Sequence, residues 1–209
     1  MIGLGTMAHI RKLLAADFAD AVTAAVETLA SGGIVIFPTE TVYGIGVDAA
    51  NREAVARLRS LKGRDADKPF QLLIADVRMG LAMGGQFSRG ATHLADQYWP
   101  GPLTLIVPDK EGGTLGLRIP DHGFALAVIK KFGRAVATSS ANPGGQPPPV
   151  DAGAADVFGS AVDLLVDGGV CAVGTASTVV LADKDGGFDI LREGAITRRD
   201  LATIWDFDT

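Results

Sequence analysis

The chain has 209 residues, 47% hydrophobic and 21% charged, with a formal net charge of -5. This length suits one large domain, or a domain with a small appendage, and the acidic balance excludes a surface coated for general nucleic-acid binding, leaving at most a local basic groove for weak RNA contact. The single Cys171 excludes an internal disulfide framework, and no run approaches the ~18 consecutive apolar residues of a membrane span.

The first residues contain a false lead. Gly3-Leu4-Gly5-Thr6-Met7-Ala8 spells a dinucleotide-binding fingerprint, but that motif works only where a strand feeds it into a helix, and only two residues precede it. Residues 1–12 read as an N-terminal tail, with Met7 an alternative start, and 13–209 as the domain. The amino terminus lacks a basic start, apolar core and cleavage site, so the expected setting is the cytoplasm without membrane contact.

Past the tail, helical and strand patterns alternate. Residues 17–30 space Phe18, Val22, Val26 and Leu29 on one face and stop at Gly32-Gly33. Ile34-Val35-Ile36-Phe37 predicts a buried strand ending at Pro38, with Gly44 and Gly46 in a backbone-rich turn that carries Thr39, Glu40 and Thr41. Asn51 should cap a helix whose Ala54, Val55, Leu58 and Leu61 share a face. Residues 70–75, 103–107, 115–119, 135–138, 163–166 and 177–181 read as strands; 89–98, 125–132 and 197–205 read as helices. Mixed strands and helices without repeats indicate an α/β domain with a twisted, mixed open sheet. The Pro- and Gly-rich stretch 142–149 reads as a loop across a site.

Four constellations could carry chemistry. Lys62-Gly63-Arg64 with Lys68 could clamp a phosphate, or simply compensate a helix carboxyl terminus. Ser139-Ser140-Ala141-Asn142-Pro143-Gly144-Gly145 could cradle an anion or ribose, and is equally an ordinary turn former. Arg118, alternating with apolar Leu117 and Ile119, needs an anionic partner if its face is covered. Gly174-Thr175-Ala176-Ser177-Thr178 leads hydroxyls into a strand, and Leu191-Arg192-Glu193-Gly194 follows. His9, His93 and His122 show no metal-ligand spacing. No nucleophile–base pair stands out, and donors to negative charge predominate, which favours electrostatic stabilisation of phosphate chemistry over covalent catalysis.

In order, PTETVYGIG, KGRDADKP, YWPGPLT, LGLRIP, SSANPGG, GTASTVV and LREG resemble the successive motifs of the threonylcarbamoyl-AMP synthase family, the YrdC-like proteins. The resemblance runs from about residue 21 to 200. It implies a twisted open sheet with flanking helices around a concave groove, and a reaction in which L-threonine, bicarbonate and ATP give threonylcarbamoyl-AMP and pyrophosphate. Mg²⁺ is implied with the nucleotide, without a protein metal site, and the product would pass to a transferase machinery that modifies tRNA. Carried over by position, Lys62 and Arg64 are the implied catalytic clamp, and ATP binding falls to Lys62, Arg64, Ser140, Asn142 and Arg192. Threonine binding falls to Thr39, Arg118, Thr138 and Ser177. Asp65, Ser139, Ala176 and Pro147-Pro148-Pro149 depart from the family pattern, and bear on nucleotide contacts and turnover more than on fold.

Three readings follow. The first is the synthase. The second is a non-catalytic paralogue of the same fold that binds RNA or a ribosomal partner. The third, a carbamoyl-adenylate domain of hydrogenase-maturation type, normally accompanies zinc-binding cysteines, and one cysteine in 209 residues speaks against it.

Overall fold

Period-two alternation in the apolar runs decides which helices cover which part of the sheet. The computed structural model describes residues 9–12, 17–63, 68–185 and 187–205. In chain order the elements are β1 (His9–Lys12), α1 (Phe18–Ala30), β2 (Val35–Phe37), β3 (Gly44–Asp48), α2 (Arg52–Leu61), β4 (Gln71–Leu73), α3 (Val77–Ala82) and α4 (Arg89–Tyr98). There follow β5 (Leu103–Pro108), β6 (Thr114–Arg118), α5 (Gly123–Phe132), β7 (Val136–Ser140), α6 (Ala152–Ala155), a 3-10 turn (Gly159–Ala161), β8 (Leu164–Asp167), β9 (Thr178–Ala182), β10 (Phe188–Arg192) and α7 (Arg198–Trp205). Among the described residues the strands form one mixed sheet in the order β1-β8-β2-β3-β7-β4-β6-β5-β9-β10. Parallel pairs (β1 with β8, β2 with β8, β4 with β6, β5 with β9) are interspersed with antiparallel ones, as expected where short hairpins and helical crossovers are mixed.

Val35 and Phe37 of β2, Leu164 and Val166 of β8 and Val136 of β7 pack under α1 and α5, which present Val22, Ala25, Leu29, Phe124 and Val128. Their strand neighbours Ile36, Leu165 and Ala137 point the other way, onto Ala54 and Leu58 of α2. Further along, Leu103, Leu105, Val107, Leu117 and Val180 rest on Ala91 and Leu94 of α4 and Leu201 of α7. Leu72 packs against both of these last clusters, so they form one layer. Burying each such side chain contributes about 1.5–3 kcal/mol, which is why the faces are so strictly sorted. The helices α1 and α5 cover the β8-β2-β3-β7 end of their face and reach Leu73 of β4. The remainder, across β4, β6, β5 and β9, lines a groove.

Asn51 caps α2 as its sequence predicts, its side chain accepting from Glu53 N and Ala54 N at 3.1 Å each. The strands and helices read from the sequence are present, shifted only at their ends. Three differences carry physical reasons. Gly44 and Gly46 lie in strand β3, paired with β2, rather than in a turn, and neither has a positive φ. What requires Gly46 is space: a Cβ there would sit 2.7 Å from Thr138 Cγ2 and 2.9 Å from Val136 Cγ1. His9–Lys12, assigned to the tail by sequence, instead pairs in parallel with β8 as the edge strand. Its one apolar residue, Ile10, is too little to show a period. β10 was also unread, although its hairpin repeats an earlier one. Asp109-Lys110-Glu111-Gly112-Gly113 and Asp183-Lys184-Asp185-Gly186-Gly187 share a pattern, and in each the aspartate Oδ1 accepts from the backbone N two and four residues on.

Among the described residues no helix is long and apolar enough to cross a membrane.

Candidate functional site

The uncovered part of the sheet presents one side of each pleat. Gln71 on β4, Gly116 and Arg118 on β6, Thr104 and Ile106 on β5, and Thr138 and Ser140 on β7 all face a cavity of about 360 Å³. Val179 and the preceding Ser177 complete the wall, and Thr39, Thr41 and Tyr43 of the β2–β3 loop close one end. Because side chains alternate across a strand, residues two apart share this face while the intervening leucines and valines fill the core behind it.

Arg118 is 4% exposed. Its Nη2 donates to Glu40 Oε1 at 2.7 Å and to Thr41 Oγ1 at 2.9 Å, and its Nε donates to the Gly101 carbonyl at 3.1 Å. Nη1 has no hydrogen-bond partner among the described residues, and the residue lines the cavity. The anionic partner that the sequence demanded is therefore Glu40, itself buried, with its Oε2 unpartnered among the described residues. Thr39 organises the loop: its hydroxyl donates to the Val42 carbonyl at 2.7 Å and contacts Thr41 Oγ1 at 2.9 Å. Nearby, His122 caps α5 with Nδ1 accepting from Ala125 N. Burial pushes its pKa below the ordinary imidazole value, against the opposite pull of Glu40 and Asp121. Tyr43 spans to the loop after β8, donating to the Gly169 carbonyl at 2.7 Å and accepting from Gly168 N at 3.0 Å, and burial pushes its pKa up to about 12.

The opposite wall is a chain of side chains. Thr104 Oγ1 donates to Gln71 Oε1 at 2.6 Å and lies 2.8 Å from Ser177 Oγ. Arg192 Nη2 donates to the Ser177 carbonyl at 2.8 Å and to Ser177 Oγ at 3.3 Å. Thr138 Oγ1 contacts the Gln71 carbonyl at 3.4 Å.

Lys62 points elsewhere. Its Nζ donates to the carbonyls of Ser140, at 2.7 Å, and Asn142, and sits 5.6 Å from the centroid of the Phe158 ring. Asn142 in turn donates to the Pro143 and Gln146 carbonyls at 3.0 and 2.7 Å, with its Oδ1 buried and unpartnered among the described residues.

Of the site residues expected from sequence, Thr39, Arg118, Thr138, Ser177, Ser140 and Arg192 line the one cavity. Lys62 and Asn142 are outside the lining and are joined to each other through the loop backbone. Arg64 and Asp65 lie outside the described residues. Arg192, expected with the nucleotide, is hydrogen-bonded to Ser177, expected with threonine, so the two groups share a border. Sequence reasoning passed over Gln71, Thr104 and the pairing of Glu40. The signal was available: Gln71 and Thr104, like Arg118, interrupt apolar strand runs, and a polar residue on a period-two face opposite a core needs a function or a partner.

Comparison with known proteins identifies the family. A family model for Sua5, YciO and YrdC proteins, described as telomere recombination, matches residues 27–194. A Bacillus subtilis protein named threonylcarbamoyl-AMP synthase is 38% identical over 183 residues, covering 82% of this chain and 52% of its own length. One of the same name from Chromohalobacter salexigens is 36% identical over 176 residues, covering 78% of this chain and 93% of its own. The crystal structure of Sua5 from P. abyssi complexed with L-threonine superposes with a TM-score of 0.85 at 31% identity, over 95% of this chain and 61% of that one. The chain thus spans about half the length of the Bacillus relative.

Proposed function

The chain belongs to the Sua5–YciO–YrdC family, and from that premise we propose that it is an L-threonylcarbamoyladenylate synthase, making threonylcarbamoyl-AMP and pyrophosphate from L-threonine, bicarbonate and ATP. The observation that carries this reading is Arg118: a nearly buried guanidinium whose Nη1 has no hydrogen-bond partner among the described residues, in a small cavity walled by hydroxyls. A cation among hydroxyls and an amide matches a small hydroxylated amino acid better than an apolar or cationic ligand. Relatives carrying the synthase name and a relative solved with L-threonine support the same choice.

In this reading Arg118 takes the threonine carboxylate, with Thr39, Thr138 and Ser177 around the rest of the molecule. The amine reacts with bicarbonate, forming a C–N bond and releasing water. A carbamate oxygen then attacks the α-phosphorus of ATP as the bond to the β-phosphate oxygen breaks, and pyrophosphate leaves. These steps need positioning and charge stabilisation more than a covalent intermediate. Ser140, Asn142 and Arg192 hold the nucleotide, and Lys62 and Arg64 neutralise its phosphates. Lys62 also fixes the loop that carries Ser140 and Asn142, through the two carbonyls it already holds. Among the described residues no three His, Cys, Asp or Glu side chains gather as a metal site. Mg²⁺ enters as part of the nucleotide substrate, carried by its phosphates.

The product feeds a separate transferase that completes tRNA modification in the cytoplasm. Specific RNA recognition uses aromatic platforms and a basic surface, whereas this chain is 6% aromatic with a net charge of -5. The test is pyrophosphate release with mass spectrometry of the product. Release should require both L-threonine and bicarbonate. ATP turnover indifferent to threonine would overturn the proposal, and modified tRNA formed by this chain alone would overturn the separate transfer step.

A further inference from the structure

Ser177 Oγ is 2.8 Å from Thr104 Oγ1, and either could donate in isolation. The next link removes the choice. Thr104 Oγ1 lies 2.6 Å from Gln71 Oε1, an amide oxygen that only accepts, so the single Thr104 proton is committed there. Thr104 can then only accept from Ser177, and the single Ser177 proton is committed in turn. Arg192 Nη2, a pure donor, occupies one Ser177 lone pair at 3.3 Å. What Ser177 has left for the cavity is a lone pair. Both residues are 3% exposed, so bulk water is poorly placed to reset the chain.

We propose that Gln71 and Thr104 are positioning residues that fix the hydrogen-bond polarity of Ser177, so that it meets the ligand only as an acceptor and selects an amino acid whose side-chain hydroxyl can donate. The inference rests on the synthase reading. There the amine is the reacting group and must face the nucleotide, and the carboxylate belongs to Arg118, which leaves the side-chain hydroxyl as the donor for Ser177. Dimensions agree. The strand order places β5 between β6, which carries Arg118, and β9, which Ser177 precedes. Two strand spacings, about 10 Å, thus separate the two backbones, and side chains reaching inward from each leave room for a ligand a few atoms long.

The probe pair is L-threonine and O-methyl-L-threonine, whose ether oxygen accepts but cannot donate. Binding of each is measured by calorimetry on the full chain with a non-hydrolysable ATP analogue present. Wild type should prefer threonine by about 10² or more, because a site built around a ligand hydroxyl leaves polar groups unpaired when that donor is missing. Thr104→Val is isosteric and frees the Ser177 proton to turn toward the ether, so the preference should fall about tenfold, a change of ~1.4 kcal/mol. Steric rejection of the added methyl is common to both proteins and cancels in this ratio of ratios. Gln71→Met should give the same loss by freeing the Thr104 proton, and Thr104→Ser, which keeps the hydroxyl, should restore the wild-type ratio.

A preference unchanged in both Thr104→Val and Gln71→Met overturns the inference while leaving the synthase reading intact, since wild type would still bind threonine. Equal losses in Thr104→Ser and Thr104→Val also overturn it, because packing of the methyl group rather than hydrogen-bond polarity would then be responsible. Wild type that binds no threonine overturns the reading and the inference together.

Discussion

The groove wall and the loop at its Ser140 edge offer the same kinds of group, hydroxyls, amides and a cation, but hold them in opposite ways. On the wall, side chains from different strands and from the β2–β3 loop bond to one another: Arg118 to Glu40 and Thr41, Thr104 to Gln71 across β6, Arg192 to Ser177. At the loop, Lys62 and Asn142 reach backbone carbonyls instead, so the segment is held as a unit. A wall of mutually bonded side chains sets the direction of each donor before a ligand arrives. A loop tied by its backbone sets only a position. The difference suits a small, exacting ligand on the wall and a larger, multiply charged one at the loop.

The sharpest way to break the comparison is Arg118→Ala. It should abolish threonine use, a loss of at least about 10², and also destabilise the fold by about 3–5 kcal/mol, because Glu40 is left buried without its partner. Activity assay and denaturant unfolding together check this. A variant that loses activity at unchanged stability would mean that the pair is not structural.

Lys62→Ala should also cost about 10² in turnover, from loss of a well-placed charged donor. Its melting temperature should stay near wild type, while backbone amides of residues 142–149 exchange faster with deuterated solvent. Unchanged exchange would show that Lys62 does not organise the loop and would erase the contrast with the wall.

A smaller effect is expected at the wall's backing. Gly46→Ala should cost about 1–3 kcal/mol by overpacking, since the new methyl meets Thr138 and Val136 at under 3 Å and cannot displace a sheet. Unfolding by urea reads this directly. An unaffected midpoint would show that β3 and β7 can part without cost.

The smallest effect is a pH slope. Burial lowers the His122 pKa below the ordinary imidazole value of 6.5. As pH falls from neutral, the unfolded imidazole takes up its proton first, so stability present above 6.5 declines through the window between that value and the lower folded one. His122→Asn keeps a cap acceptor and should flatten that slope in melting temperatures measured from pH 8 to 5. An identical slope in the variant would assign it to other groups.

The same division explains what the sequence could tell. Core strands announced themselves because their apolar residues obey a period of two, and Arg118 was conspicuous as a cation inside such a run. Asn51 was readable as a cap because capping is local. β1 and β10 were not legible: they are edge strands, His9–Lys12 has one apolar residue, and β10 has only Phe188 and Ile190 half-buried against the core while Leu191 is 56% exposed, so neither reads as an apolar run. Gly46 misled because a glycine permits both a turn and a close approach, and only the neighbouring strand distinguishes them. Glu40 as the partner of Arg118, 78 residues away, is a product of strand order, which no local pattern encodes. Gln71 and Thr104 were visible as interruptions, but their joint role depends on β4 and β5 flanking β6.

The most direct test of this division is a calorimetric titration of L-threonine and of ATP against Ser177→Ala and Asn142→Ala. Ser177→Ala should weaken threonine by about tenfold or more and leave ATP within about twofold; Asn142→Ala should do the reverse, each removing one hydrogen bond to a ligand. Equal losses of both ligands in both variants would contradict the account, because wall and loop would then form one undivided site.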